Sequence, residues 1–155
     1  MTDSTLTINN ILAPELTLCR VNGTSKKRIL EFISEKVAGQ YPELDETQIF
    51  NNLIARERLG STGIGQGIAI PHCRLDGCTR VVGALVTLEE GVAFDAIDNQ
   101  PVDLLFTLIV PREATSEHLE LLSQLAEQFN DRSFCDALRA CTSNDGLYQK
   151  MTGNR

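Results

Sequence analysis

Between Gly60 and His72 the chain reads Gly-Ser-Thr-Gly-Ile-Gly-Gln-Gly-Ile-Ala-Ile-Pro-His, four glycines in eight residues followed by a short apolar run and a proline-histidine pair. Glycines at this density admit positive φ and close backbone approach, and exposed N–H groups in such a loop can cradle an anion. Ser61, Thr62, Gly63, Gly65 and Gly67 are therefore the candidate cradle. Pro71 stiffens the backbone ahead of His72 and removes a competing donor. An imidazole with an ordinary pKa of about 6.5 is mostly neutral near pH 7, so one ring nitrogen keeps a lone pair and can act as a nucleophile. His72 can accept a phosphoryl group.

Two further side chains could serve that chemistry. Arg56, just before the loop, could lay its guanidinium fork on the transferring oxygens, with Arg58 the competing choice. His118, the only other histidine, falls where a helix begins and could hydrogen-bond the same group with help from the helix dipole. Each has a plainer reading. His118 alone on an apolar stripe is a packed core histidine, either arginine alone is a solvated helix face, and a glycine turn beside a strand is structural. Only the joint pattern favours a site.

Other chemistries fit less well. A phosphate-binding loop of the Walker type needs Lys-Ser/Thr after its last glycine, and Gly65 is followed by Gln66-Gly67. A dinucleotide fingerprint follows a strand and opens a helix, whereas this segment follows a helical pattern and opens a strand. His72, Cys73, Cys78 and His118 have no common zinc spacing, so no metal is expected. A Cys73–His118 dyad lacks surroundings that would lower the thiol pKa, Arg74 excepted. Asp95 with Asp98 or Asp103 could make a carboxylate pair for glycoside chemistry, but acidic residues at turns usually face solvent.

The elements that must position these residues follow from periodicity. Ile29, Ile33 and Val37 recur every four residues, which predicts an amphipathic helix from Ser25 to Gly39. Asp45 and Gln48 resemble a capping box for a second helix that carries Ile49, Phe50, Leu53 and Ile54 and stops near Gly60. Strands are expected over Gly67–Ile70, Arg80–Leu88 and Val102–Val110, the last apolar on both faces as a central strand would be. Leu122, Leu125 and Phe129 then form a helical stripe with His118 one turn earlier, and shorter helices are expected around Ser133–Cys141 and Asp145–Met151. The expected fold is α/β of the α+β type, a single domain over residues 5–150 with a mixed sheet flanked by helices.

Composition agrees with that scale. The 155 residues are 42% hydrophobic and 23% charged, which suits one packed domain rather than a disordered chain. A formal net charge of -7 opposes the phosphate-neutralising surface that nucleic acids require. No apolar run is long enough to span a bilayer, and the start Met-Thr-Asp-Ser-Thr-Leu lacks a basic segment before an apolar one. A cytoplasmic protein is expected, its five cysteines reduced thiols rather than staples.

The stretch Gly60–His72, with Phe94-Asp95-Ala96-Ile97-Asp98-Asn99-Gln100-Pro101-Val102-Asp103-Leu104-Leu105-Phe106 and the later His118-Leu119, resembles the IIA proteins of the bacterial phosphotransferase system. The resemblance is to the nitrogen-regulatory branch of the fructose/mannitol-type class, IIA type 2, and spans roughly residues 5–150. It implies a transient phosphohistidine on His72, at Nε2, received from an HPr-like phosphocarrier called NPr, with His118 and Arg56 as neighbours of the phosphoryl group. It implies no metal or organic cofactor. In sugar-specific relatives the phosphoryl group passes to a IIB unit. In the nitrogen branch the phosphorylation state tunes binding to regulatory partners such as potassium-transport proteins and sensor kinases. A stand-alone chain favours the latter; a sugar-transport IIA domain and a binding module that is never phosphorylated are the alternatives. One departure is visible: Cys73-Arg74 follows His72 where the family more often has Gly-Lys. Arg74 keeps the charge, and Cys73 raises the expectation of oxidation sensitivity beside the imidazole.

Overall fold

The computed structural model describes residues 7–153, so the expected span 5–150 and the expected leaderless start begin outside the described residues. In chain order the elements are α1 (Ile8–Ile11), β1 (Leu12–Val21), α2 (Lys26–Gln40), α3 (Glu46–Arg58), β2 (Gly63–Gly65), β3 (Ile68–Ala69), β4 (His72–Leu75), β5 (Val82–Val92), β6 (Val102–Pro111), α4 (Ser116–Phe129), α5 (Arg132–Ala140) and α6 (Asn144–Met151).

The strands form one mixed sheet in the order β1-β5-β6-β3-β2, with β4 also paired to β6. β5 and β6 run antiparallel, while β1 lies parallel to β5 and both β3 and β4 lie parallel to β6. Helices cover both faces. α2 and α3 pack Ile29, Leu30, Ile33, Ile49 and Leu53 against one side, and α1, α4, α5 and α6 pack Leu121, Leu125, Phe129, Leu138 and Leu147 against the other. β6 therefore carries apolar side chains on both faces, Leu105 and Ile109 toward one cluster and Leu104, Phe106 and Leu108 toward the other. Each such side chain, fully buried, contributes about 1.5–3 kcal/mol.

Caps set the helix ends. Ser25 accepts from the Arg28 N–H at 3.1 Å and starts α2, and Asp45 accepts from the Thr47 N–H at 2.8 Å and starts α3. α2 runs one residue past Gly39, and no Gln48 bond is needed to start α3.

The strands differ from expectation in several places, and β2 falls in the glycine segment expected as a loop. β1 was not anticipated: Pro14 and the left-handed Arg20, with φ of 53°, interrupt the strand pattern, and its pairing with β5 is irregular. β5 continues through Glu89, Glu90 and Gly91 to Val92. The expected strand at 67–70 is shorter, and Pro71, with no N–H, separates β3 from β4. Register survives the break, since Ile68 faces Leu104 and His72 faces Leu108 on β6 at the same offset. His72 thus opens a strand rather than ending one.

Candidate active site around His72

β4 fixes His72 beside Leu108 of the central strand, and α3 runs across it. Two stripes of α3 divide the work. Ile49, Leu53 and Glu57 face the core, while Asn52, Ala55, Arg56 and Leu59 line a depression with His72 at its floor. The Asn52 amide donates to the Arg74 carbonyl at 2.9 Å and ties α3 to β4. Leu108, Val110, Leu119 and Leu122 complete a mostly apolar hollow of about 550 Å³.

The two ring nitrogens of His72 have different partners. Nδ1 lies 2.8 Å from the Ile70 carbonyl, which can only accept, so Nδ1 carries the proton. Nε2 accepts from the Arg56 Nε–H at 3.2 Å, which leaves it the nitrogen with the lone pair. Arg56 also donates from Nη1 to the Gly60 carbonyl at 2.9 Å. Burial lowers the His72 pKa below its ordinary value; the Ile70 carbonyl opposes that, the Arg56 cation adds to it, and Glu57 opposes it again. A pKa below 6.5 favours the neutral ring at pH 7, and its unprotonated nitrogen is Nε2.

Guanidinium groups rim the hollow of an acidic chain. Arg74 crosses to the Arg112 carbonyl at 2.9 Å, and Arg112 pairs with Asp76. Arg58 is exposed and lies off the lining, so Arg56 is the arginine that meets the imidazole. Cys73, next to His72, is buried, and desolvation pushes its thiol up to about 12. Burial that keeps the thiol protonated works against the oxidation sensitivity expected there.

The glycine segment is built for packing. The Thr62 N–H donates to Glu57 Oε1 at 3.1 Å, Gly63 N–H to Ser61 Oγ at 3.0 Å and Gln66 N–H to Asp98 Oδ2 at 2.8 Å. A Cβ on Gly63 would stand 2.7 Å from the Ala96 Cβ. Gly67 has φ of 81°, and a Cβ there would meet the Arg139 guanidinium at 2.8 Å. Ser61, Thr62, Gly63, Gly65 and Gly67 form a hairpin seated on the 94–103 segment and α5, and none lines the hollow at His72.

His118 and His72 line different cavities. The His118 Nδ1 accepts from the Thr115 N–H at 3.0 Å, in the manner of a capping-box residue, so its proton sits on Nε2. It lines a cavity of about 340 Å³ with Tyr41, Arg80 and Val81, while its neighbours Leu119 and Leu122 reach the His72 hollow. His72, Cys73, Cys78 and His118 do not converge, and among the described residues no group of three or more His, Cys, Asp or Glu gathers as metal ligands would.

Sequence reasoning overlooked Glu57, Asn52 and Arg112. Glu57 had a readable signal, a carboxylate at the next position of the Ile49–Leu53 apolar stripe. Arg112 had none, because its approach to Arg74 depends on β4 and β6 being neighbours.

Comparison with known proteins gives a consistent picture. Residues 10–152 match the family described as "Phosphoenolpyruvate-dependent sugar phosphotransferase system, EIIA 2". A nitrogen regulatory protein of Pseudomonas aeruginosa is 52% identical over 142 residues, 92% of each chain. One of Escherichia coli is 50% identical over 151 residues, 97% of this chain and 92% of the relative. The crystal structure of the nitrogen regulatory protein IIA-Ntr from Neisseria meningitidis superposes with a TM-score of 0.86 at 39% identity, covering 93% of this chain and 98% of that one. Among the described residues no helix is long and apolar enough to cross a membrane.

Proposed function

The chain belongs to the EIIA 2 family of the phosphoenolpyruvate-dependent sugar phosphotransferase system, and from that premise we propose that it is the nitrogen-regulatory IIA component, phosphorylated on His72. The observation that carries the reading is the pair of bonds on His72: Nδ1–H held by the Ile70 carbonyl, and Nε2 turned to Arg56 inside an apolar hollow.

In-line transfer from a carrier phosphohistidine breaks the donor P–N bond and forms a P–Nε2 bond. The donor imidazole leaves with its electron pair, and the Nδ1 proton stays on His72. The ring gains positive charge in that step, which strengthens the Nδ1–H to Ile70 carbonyl bond. The Arg56 guanidinium moves from the lone pair onto the phosphoryl oxygens, where its fork neutralises charge. No strong base is needed; positioning and electrostatics do the work.

The family supports a phosphocarrier partner, and the proposal names it as an HPr-like carrier, NPr, docking on the hollow. Leu59, 83% exposed on its edge, offers that partner apolar contact, and the arginine rim suits the phosphoryl group it carries. His118 is proposed to act indirectly, by fixing the end of α4 that sends Leu119 and Leu122 into the hollow. The similarity to nitrogen regulatory proteins favours phosphorylation-dependent binding of regulatory targets, such as potassium-transport proteins or sensor kinases in the cytoplasm, over transfer to a IIB unit.

Reconstitution with the upstream carriers and phosphoenolpyruvate tests the reading. An acid-labile phosphate on His72, lost in His72→Ala with the fold intact, is expected. Labelling of the His72→Ala protein, or none of the wild type, would overturn it.

A further inference from the structure

A closed circuit of bonds links the His72 ring back to the helix that supplies its arginine. His72 Nδ1–H donates to the Ile70 carbonyl at 2.8 Å, and the Ile70 N–H donates to the Thr62 carbonyl at 3.0 Å. The Thr62 N–H donates to Glu57 Oε1 at 3.1 Å, and the Thr62 hydroxyl donates to Glu57 Oε2. Glu57 is bonded in the chain to Arg56, whose Nε–H returns to His72 Nε2 at 3.2 Å.

Glu57 is an expensive residue for packing alone. Its side chain is 4% exposed at a core-facing position of α3, and Lys26 Nζ lies 2.9 Å from Oε1. A carboxylate so enclosed is tolerated only when its oxygens are fully bonded, and an apolar residue of like size would often serve stability equally well. Beside the Lys26 ammonium, its oxygens take the N–H and the hydroxyl of Thr62, the residue whose carbonyl holds the Ile70 N–H. Ile70 lies between the two-residue β3 and the start of β4, where Pro71 has no N–H to anchor the chain. The Pro71 carbonyl accepts from the Leu108 N–H at 2.9 Å on one side, Thr62 supplies the anchor on the Ile70 side, and Glu57 holds Thr62.

We propose that Glu57, acting through Thr62 and the Ile70 backbone, is a positioning residue for phosphoryl transfer: it holds the Ile70 carbonyl where His72 stays protonated on Nδ1 with Nε2 facing the hollow. The proposal rests on His72 being the acceptor.

The test begins with the ring itself, by nitrogen-15 NMR of the isolated protein at a pH where His72 is neutral. His72 is expected as the Nδ1–H tautomer, while His118, whose Nδ1 accepts from Thr115, shows the opposite tautomer in the same spectrum and serves as the control. Thr62→Val, which keeps the side-chain volume, and Glu57→Gln are expected to raise the Nε2–H population of His72 and leave His118 unchanged. Thr62→Ser is expected to restore the wild-type pattern. With a phosphorylated carrier, Thr62→Val should lower kcat roughly five- to tenfold with KM within about twofold, and Thr62→Ser should recover it.

If Thr62→Val and Glu57→Gln lower Tm but keep the His72 tautomer and kcat, Glu57 is purely structural and the proposal is overturned. Thr62→Val decides alone if Glu57→Gln does not fold. If the tautomer shifts as expected but wild-type protein takes no phosphoryl group, the functional reading fails while ring positioning by Glu57 stands.

Discussion

The Arg56 Nε–H caps the His72 Nε2 lone pair at 3.2 Å, so the nitrogen proposed to attack is covered, at rest, by the group that must later hold the transferred phosphate. The guanidinium has to exchange one acceptor for another during transfer, and its second bond, to the Gly60 carbonyl at 2.9 Å, keeps it near both. A lysine in its place would keep the charge and lose the planar fork. Arg56→Ala is expected to slow carrier-dependent labelling about 10²-fold, and Arg56→Lys roughly tenfold, by rapid-quench kinetics. Equal rates in Arg56→Lys and wild type would mean that charge alone matters.

Burial of His72 also makes stability depend on pH in a definite direction. Its folded pKa lies below the unfolded value of 6.5, so between the two the unfolded chain binds more protons. The penalty is absent well above 6.5 and grows as pH falls from 6.5 toward the folded pKa, with a slope of at most about 1.4 kcal/mol per pH unit. Chemical denaturation of wild type and His72→Gln at pH 7.5, 6.0 and 5.0 checks this. The difference between them should shift in favour of His72→Gln as pH drops; a constant difference would put the ring in a solvent-like setting. Arg56→Gln should weaken the effect, because removing the cation raises the His72 pKa.

Docking is open to a surface substitution that leaves the core alone. Leu59 caps α3 at 83% exposure, on the stripe that lines the hollow. Leu59→Asp places a carboxylate where an apolar partner surface would be desolvated, with an expected change in fold stability within about 0.5 kcal/mol. The KM for the phosphorylated carrier should rise roughly tenfold with kcat nearly unchanged, since only encounter and docking are affected. An unaltered KM would move the docking face away from Leu59.

His118 separates a capping role from a catalytic one. Its Nδ1 bond to the Thr115 N–H starts α4, and glutamine is a standard residue at that capping position. His118→Ala should cost about 1 kcal/mol in unfolding free energy, whereas His118→Gln keeps most of it. Transfer should slow less than tenfold in His118→Ala and stay near wild type in His118→Gln. A large transfer defect in His118→Gln with normal stability would return the imidazole to the phosphoryl group, as the family resemblance implies.

The legible parts of this molecule are those that local pattern dictates. The stripes of α2, α3 and α4 and the two-sided apolar run of β6 announce themselves because burial repeats at a fixed period. His72 stands out because the chain has only two histidines, whereas Arg56, one of ten arginines, stands out only by its place just before the glycine segment. β1 was hidden by Pro14 and Arg20, which an irregular strand tolerates but a strand pattern does not. The glycine segment is ambiguous in a specific way. Glycine reports that something must come close, and it is equally silent on whether the visitor is a phosphate or, as at Gly63, the Ala96 methyl of the same chain. The bonds from Thr62 to Glu57 and from Ile70 to Thr62 are side-chain and tertiary facts with no spacing rule behind them.

That ambiguity can be resolved at Gly63. If the segment cradled phosphate, a methyl there would obstruct the ligand and leave the fold unharmed. In the structure the added Cβ would instead stand 2.7 Å from the Ala96 Cβ and 3.1 Å from its Cα, with backbone on one side and no flexible tip to yield. Overpacking of this kind costs about 1–3 kcal/mol. Gly63→Ala should therefore lower stability by that amount in urea denaturation, while folded protein labels at a rate within about twofold of wild type. Ala96→Gly should relieve part of the loss when combined with it, because the methyl it removes is the atom in conflict. A Gly63→Ala protein with wild-type stability and a large loss of labelling would restore the phosphate cradle.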